Sequence, residues 1–456
     1  MICDQLGIPT YSLIRDQGST KFPTQIAKPS HNSHGTSIEF SQPNMPSTDP
    51  HGLVPLRWPA AWTSDRQLAL LENTPINCVI DAPAAVATAA KSRGLTVLSK
   101  QDSASVAAFL PEPVWPSIKM QRRGQGADAG PTGAPWVDAN GWSIQLARAL
   151  SPNKPVWVDA GPPDNAVLDD RNYTLAIAEP AAFGGQWVVN IDKGYASKLA
   201  DGDAATVARW RKLMDTLKFF EAHRNWRAMD IRSNLAVVSD FAGPNEFLSR
   251  EFLNLASRRN VGYHVWLKAT APRANFSAVQ SVLFIDEQPP AADLARALDS
   301  FVRKGGMLIA RRSEPFSKWT GAATPTPIPG YETRSIGKGQ LVMPTAAWDD
   351  PWQLALDVKM LIGRKTDTVR FYNAGIMGTY YTRSNDGRAA VLHLVNYTRR
   401  AAPGEITVAV ADPFKSARVV TPDAAPPKQV AMANQGGVFR EMALPGFPVY
   451  AAVELS

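Results

Sequence analysis

Two cysteines in 456 residues, Cys3 and Cys78, are too few for a disulfide framework or a cysteine zinc site. Cys78 sits in the apolar run 76–80, where a thiol serves as a small core residue. The six histidines, His31, His34, His51, His223, His264 and His393, form no HExxH and no His-x-His pair, so no built-in metal site is expected. Gly124, Gly126 and Gly130 have the wrong spacing for a dinucleotide fingerprint, and Gly337-Lys338-Gly339 lacks the rest of a P-loop. No Gly-x-Ser-x-Gly elbow occurs. A cofactor is therefore not expected. No apolar run approaches the ~20 residues of a membrane span.

The formal charge is +7, but the arginine pairs are scattered (Arg122-Arg123, Arg258-Arg259, Arg311-Arg312, Arg399-Arg400). No helix carries a continuous basic stripe and no aromatic-basic RNA motif appears, so nucleic acid is not an expected partner. Residues 1–13 hold an acidic residue, a proline and no unbroken apolar core, which does not read as a signal peptide. The expectation is a cytoplasmic protein as read, or a secreted one if the true start lies elsewhere. Residues 1–50 are polar and read as an extension with the composition of a disordered arm.

What is present is an ordinary globular balance, 45% apolar and 20% charged. From residue 51 short β-like runs alternate with helical ones. The runs near 54–58, 76–80, 95–98, 114–120, 155–158 and 187–191 read as strands, with a Gly/Pro-rich loop over 124–135. Such alternation means parallel strands with helical crossovers. About six strands in under 180 residues predict a shortened or incomplete (β/α) barrel over 51–230, since a full one needs ~250 residues. A second alternation over 231–365 predicts a doubly wound α/β domain of flavodoxin type. After 365 the helical period stops, and seven strand-like runs predict a β-sandwich over 366–456.

The second domain resembles class I glutamine amidotransferases in layout. Its comparable turn reads Asp286-Glu287-Gln288-Pro289 without a cysteine, so that chemistry is not implied. The phrase 282–288, the run Gly305-Gly306-Met307-Leu308-Ile309, the turn Ile336-Gly337-Lys338-Gly339 and the strand Leu392-His393-Leu394-Val395-Asn396-Tyr397 carry a wider resemblance. With the order of domains, they make the chain similar to the trimeric β-galactosidases of glycoside hydrolase family forty-two and to related uncharacterised glycosyl hydrolases. The resemblance covers 230–456; over 53–230 it lies in domain order alone. It implies a carbohydrate substrate and assembly through the α/β domain. That family uses two glutamates at barrel strand ends. Here Glu72, Glu112, Glu179 and Glu221 occupy no such place, so no catalytic residue is carried over.

Aspartates take the strand ends instead: Asp81, Asp159 and Asp192. Strand ends of parallel layers converge on one rim, and glycoside hydrolysis needs two carboxyl groups across one bond. A strand-end aspartate equally serves as the N-cap of the next helix. The stretch Trp136-Val137-Asp138-Ala139-Asn140-Gly141-Trp142 sets two indoles around Asp138 and Asn140, the composition of a sugar-binding loop or of a loop pinned by buried tryptophans. The expected carboxylate pair is Asp138 with Asp192, Asp159 in reserve. Arg57, Trp58, Trp136, Asn140 and Trp142 are the expected sugar contacts. The expected function is hydrolysis of an oligo- or polysaccharide. The alternatives are a non-catalytic carbohydrate-binding protein or an oligomerising module on the same scaffold.

Overall fold

Three-residue apolar strands open the chain: β1 (Pro55–Arg57), β2 (Cys78–Ile80) and β3 (Thr96–Leu98), followed by β4 (Ala108–Phe109), the hairpin β5 (Lys119–Arg123) and β6 (Gly126–Gly130), then β7 (Val156–Val158) and β8 (Gln186–Trp187). The computed structural model describes residues 49–116, 119–123, 126–130, 138–163, 168–326, 328–363, 367–372, 377–398, 405–423, 425–435 and 439–456. The polar arm up to residue 48 lies outside them. Both faces of β2 and β7 are buried, which is why each reads as an unbroken apolar run. β1, β2 and β3 pair in parallel, as do β4, β7 and β8. Just past β8, Val189 joins the triplets: its N–H donates to Pro55 O at 2.9 Å and its carbonyl accepts from Arg57 N at 2.9 Å. The order is thus β3-β2-β1-β8-β7-β4, with the last strand returning beside the first.

The crossovers are α1 (Ala84–Ser92), α2 (Lys100–Val106), α3 (Gly141–Leu150) and α4 (Asp170–Ala182), followed by α5 (Lys193–Ala200) and α6 (Ala204–Ala222). Their starts are chemically marked. Ser99 and Asp102 form a capping box at α2, and Asp169 with Asn172 forms another at α4. The α2 box starts the helix at residue 100; it ends at 106, and 108–109 is strand. Residues 126–130, expected as loop, pair with 119–123 across Gly124-Gln125, a spacing that suits a two-residue hairpin.

A linker strand β9 (Asp230–Ile231) leads to the second layer: β10 (Leu235–Ser239), β11 (His264–Leu267), β12 (Ser281–Phe284), β13 (Met307–Ala310), β14 (Ala322–Thr324), β15 (Tyr331–Ile336) and β16 (Gly339–Pro344). They form one sheet in the order β11-β10-β12-β13-β16-β15-β14, parallel through β16 and antiparallel beyond. The helices are α7 (Glu246–Arg258), α8 (Ala292–Arg303) and α9 (Pro351–Ile362). α8 buries Leu294, Leu298, Phe301 and Val302, the i, i+4, i+7, i+8 stripe of a core-facing helix. Gly337, at φ +62, makes the β15–β16 turn; a Cβ there would meet the Arg303 backbone at 2.8 Å.

The remaining strands are β17 (Val369–Tyr372), β18 (Met377–Arg383), β19 (Ala390–Asn396), β20 (Glu405–Val410), β21 (Ala417–Val420), β22 (Lys428–Val430), β23 (Ala433–Gln435), β24 (Phe439–Pro445) and β25 (Tyr450–Leu455). They make a four-stranded sheet, β17-β20-β24-β23, and a six-stranded one, β22-β21-β25-β19-β18-β9. β19 and β25 face the first core with Val391, Val395, Tyr450 and Ala452, and a separate core with Leu392, Leu394, Ala451 and Val453. The chain is therefore a mixed α/β protein of several sheets, as the alternating pattern implies. No described helix is long and apolar enough to cross a membrane.

Candidate functional site

The carboxyl ends of β1, β2 and β7 carry charge, Arg57, Asp81 and Asp159, where their middles are apolar. Leu56 is buried in β1, and the next side chain, Arg57, stands at the rim. Arg57 Nε donates to Asp159 Oδ1 at 3.1 Å and Nη2 donates to Asp159 Oδ2. Its Nη1 donates to Asp81 Oδ2 at 2.5 Å. Asp81 follows β2 with a left-handed φ of +57, and its Oδ1 accepts the N–H of Lys100, the first residue of α2, at 2.8 Å. Asp159 follows β7. Burial draws the guanidinium's pKa down, but the hydrogen bonds and charges of Asp159 and Asp81 outweigh it and hold it above its ordinary value. The Arg57, Asp81 and Asp159 side chains are 23%, 39% and 18% exposed, so a solute can reach the cluster. Asn190, beyond β8, lies near the chain that follows β7: a Cβ on Gly161 would come 3.4 Å from Asn190 Nδ2.

The other residues singled out in the sequence have different partners. Asp192 is the N-cap of α5; its Oδ1 accepts from Tyr195 N at 2.8 Å and its Oδ2 from the Tyr173 hydroxyl at 2.6 Å. Asp138 is half-buried and acts electrostatically on Arg258 of α7. Trp58 is buried, its Nε1 donating to Trp62 O at 2.8 Å, and stacks edge-on against Trp62. Trp142 packs half-buried against the core of the seven-stranded sheet. Asn140 is buried, and its side chain bonds both backbone groups of Val114. Trp58 and Asn140 have polar atoms engaged within the fold, and Trp142 stays partly exposed; an indole or amide beside a strand end is as useful to the core as to a sugar. Trp136 lies outside the described residues. Of the expected site, Arg57 and Asp159 come together, and Asp81 joins them.

Glu179 lies inside α4, directly before Pro180. It is fully buried, and accepts from Asn140 N at 2.6 Å, from Asn140 Nδ2 at 2.8 Å and from the Tyr397 hydroxyl at 3.1 Å. Burial pushes its carboxyl up to about 7, against the pull of these donors. It ties α4 to the loop before α3 and to the end of β19. Its only trace in the sequence is a charged residue inside the apolar run 175–182.

A second polar cluster ends the parallel strands of the other sheet, at the β10/β12 crevice where the strand order reverses. Ser239 Oγ donates to Asp286 Oδ1 at 2.5 Å, Asp240 N donates to Asp286 Oδ2 at 3.2 Å, and Lys268 Nζ lies 3.2 Å from the same oxygen. Asn245 Nδ2 donates to Gln288 Oε1 at 2.8 Å, closing the network. Asp286 is fully buried, and burial raises its carboxyl despite Ser239. Among the described residues no group of three or more His, Cys, Asp or Glu could hold a metal ion.

No protein-family model and no curated protein matches this chain. Among solved structures it is similar to α-L-fucosidase isoenzyme 2 from Paenibacillus thiaminolyticus, at 9% identity and TM-score 0.46, over 69% of this chain and 62% of that one. It is similar to a β-galactosidase from Bacillus circulans sp. alkalophilus at 11% identity and TM-score 0.46, over 70% and 58%. It is also similar to a rhamnosidase from Novosphingobium sp. PP1Y at 13% identity and TM-score 0.44, over 81% and 38%. The chain spans less than two thirds of each of these three proteins. Likeness at this level assigns no role to any residue here.

Proposed function

We propose that this chain is a glycoside hydrolase-like protein that acts on an oligo- or polysaccharide at the carboxyl rim of its six-stranded sheet, read as a shortened (β/α) barrel beside a flavodoxin-like domain and a β-sandwich. The observation that carries the reading is the solvent-reachable clasp of Arg57 by Asp81 and Asp159. Asp159 takes the Nε–Nη2 edge of the guanidinium and Asp81 takes Nη1 on the far side. The two carboxyl groups therefore flank one guanidinium on two of its edges, and glycoside hydrolysis uses two carboxyl groups across one bond. In that role Asp159 draws the proton from water as the water oxygen bonds the anomeric carbon. Asp81 protonates the leaving oxygen as the glycosidic bond breaks. Asp138 and Asp192, the pair favoured by sequence, give way to Asp81 and Asp159 because Asp192 caps α5.

One observation favours a second reading, sugar binding without cleavage. All four oxygens of Asp81 and Asp159 already face donors, from Arg57 or from Lys100 N–H. Carboxylates so arranged accept from sugar hydroxyls through their remaining lone pairs, but no oxygen faces an acceptor to which it would pass a proton. The test compares the wild type with the Asp81→Asn, Asp159→Asn double variant on aryl glycosides and on plant and bacterial polysaccharides. Hydrolysis that falls at least about a hundredfold in the variant supports the hydrolase. Sugar binding by calorimetry, without turnover and lost in the variant, supports the second reading. Turnover that survives the double variant rules out the rim as the site.

A further inference from the structure

A cleft of about 900 Å³ opens at the amino ends of β7 and β8, against β9, the edge strand β11 and Tyr380 of β18. Four cations line it, Arg148, Lys154, Arg224 and Arg227, against two carboxylates, Asp49 and Asp230. Arg227 is neutralised by Glu221 at 2.7 Å. Arg148 is held by neutral oxygens: the Tyr380 hydroxyl at 3.1 Å, Arg227 O at 3.0 Å and Phe183 O at 3.5 Å. No carboxylate among the described residues pairs with it. Its close approach is built in, because Gly184 has φ +82 and a Cβ there would stand 2.5 Å from Arg148 Nη1.

Gln186, also in the lining, is 95% buried. Its Oε1 accepts from Arg227 Nη1 at 3.3 Å. Arginine only donates, so the amide oxygen must face it and the amide cannot be flipped. Gln186 Nε2 is then committed to the other side, where no described acceptor meets it. A buried donor without an acceptor is costly, and folds rarely keep one unless something else supplies the acceptor.

We propose that this cleft binds a sugar-sized polar ligand through an oxyanion, a carboxylate or a phosphate, with Gln186 Nε2 and the uncompensated charge of Arg148 as its inner partners and Arg224 at its mouth. An oxyanion brings the acceptor that Gln186 Nε2 lacks and the negative charge that Arg148 lacks, and a guanidinium fork matches carboxylate and phosphate alike. The volume is in the range of small-molecule sites. The inference stands apart from the rim at the other end of the strands.

The test is calorimetry on the full chain at low salt with three probes: trigalacturonate, glucose 6-phosphate and neutral maltotriose. Trigalacturonate or glucose 6-phosphate should bind and identify the source of the oxyanion, while maltotriose should not compete. Gln186→Met should weaken that binding about tenfold; it also removes the acceptor of Arg227 Nη1, so binding is compared on protein shown by its unfolding midpoint to be folded. Arg224→Ser, at an exposed position, should weaken it by about threefold and flatten its salt dependence. The Asp81→Asn, Asp159→Asn variant should bind as the wild type does. Failure of both anions to bind would overturn the proposal. So would binding that ignores Gln186→Met and Arg224→Ser, or binding lost with the rim variant.

Discussion

The chain contains two parallel sheets whose strands end in charged residues, and the two rims are built in opposite ways. At the first, one arginine is shared by two carboxylates, and all three side chains remain reachable by solvent. At the second, a carboxylate is sealed between a serine hydroxyl, a backbone N–H and a lysine, and is fully buried. The topology of both sheets brings strand ends together, and for the second it even provides a reversal of strand order. Convergence alone therefore does not distinguish a site from a strut. What separates them is whether the polar groups still offer lone pairs to a visitor or have used them on one another.

The sharpest way to break this contrast is to delete the sealed carboxylate. Asp286→Ala leaves Lys268 without its ion partner and Ser239 Oγ without its acceptor in a buried setting. Removing one member of such a pair costs about 3–5 kcal/mol. The expected result is a large fall in the urea midpoint, with sugar binding at the rim unchanged for the fraction that remains folded. Unchanged stability would mean that the second rim is not a strut, and would reopen it as a site.

The sequence made one rim more legible than the other for a physical reason. Strand ends were visible because apolar runs stop at charged residues: Ile80 gives way to Asp81, Val158 to Asp159 and Ile285 to Asp286. Which of these would stay open depends on partners far along the chain, such as Arg57 for Asp159 or Ser239 for Asp286, and pairing at that range leaves no local spacing to read. Helix starts are more local: Asp350, for one, caps α9 through the N–H of Trp352, two residues on. The indole-rich stretch is ambiguous as a guide, because Asn140 and Trp142 meet packing partners with the same residue types that bind sugar. The environment of Glu179 is invisible in the sequence because its donors come from two distant segments, Asn140-Gly141 and Tyr397.

Glu179 sharpens the comparison through pH, as a carboxyl sealed more completely than those at the first rim. Its folded value, raised to about 7 from 4.5, means the fold binds the proton more tightly than the unfolded chain does. Its stabilising contribution is complete below about pH 4.5 and is lost as pH rises to about 7, for a total of about 3 kcal/mol. Glu179→Gln cannot titrate. The difference in unfolding free energy between pH 5 and pH 8 should shrink by a comparable amount in the variant. Identical pH profiles for variant and wild type would show that Glu179 stays in one protonation state throughout.

The smallest expected effect comes from the open rim itself. Arg57 and Asp159 form a two-bonded pair, but both side chains are partly exposed, and solvent screens their attraction. A double-mutant cycle of Arg57→Gln and Asp159→Asn should therefore give a coupling of about 1 kcal/mol or less in stability, well below the cost of Asp286→Ala. The same two substitutions should each abolish sugar binding or turnover at the rim, because both remove a group that faces the solute. A coupling as large as that of a buried pair would place this cluster with the struts. A small coupling together with lost function is the signature of a rim kept soluble and charged for a ligand.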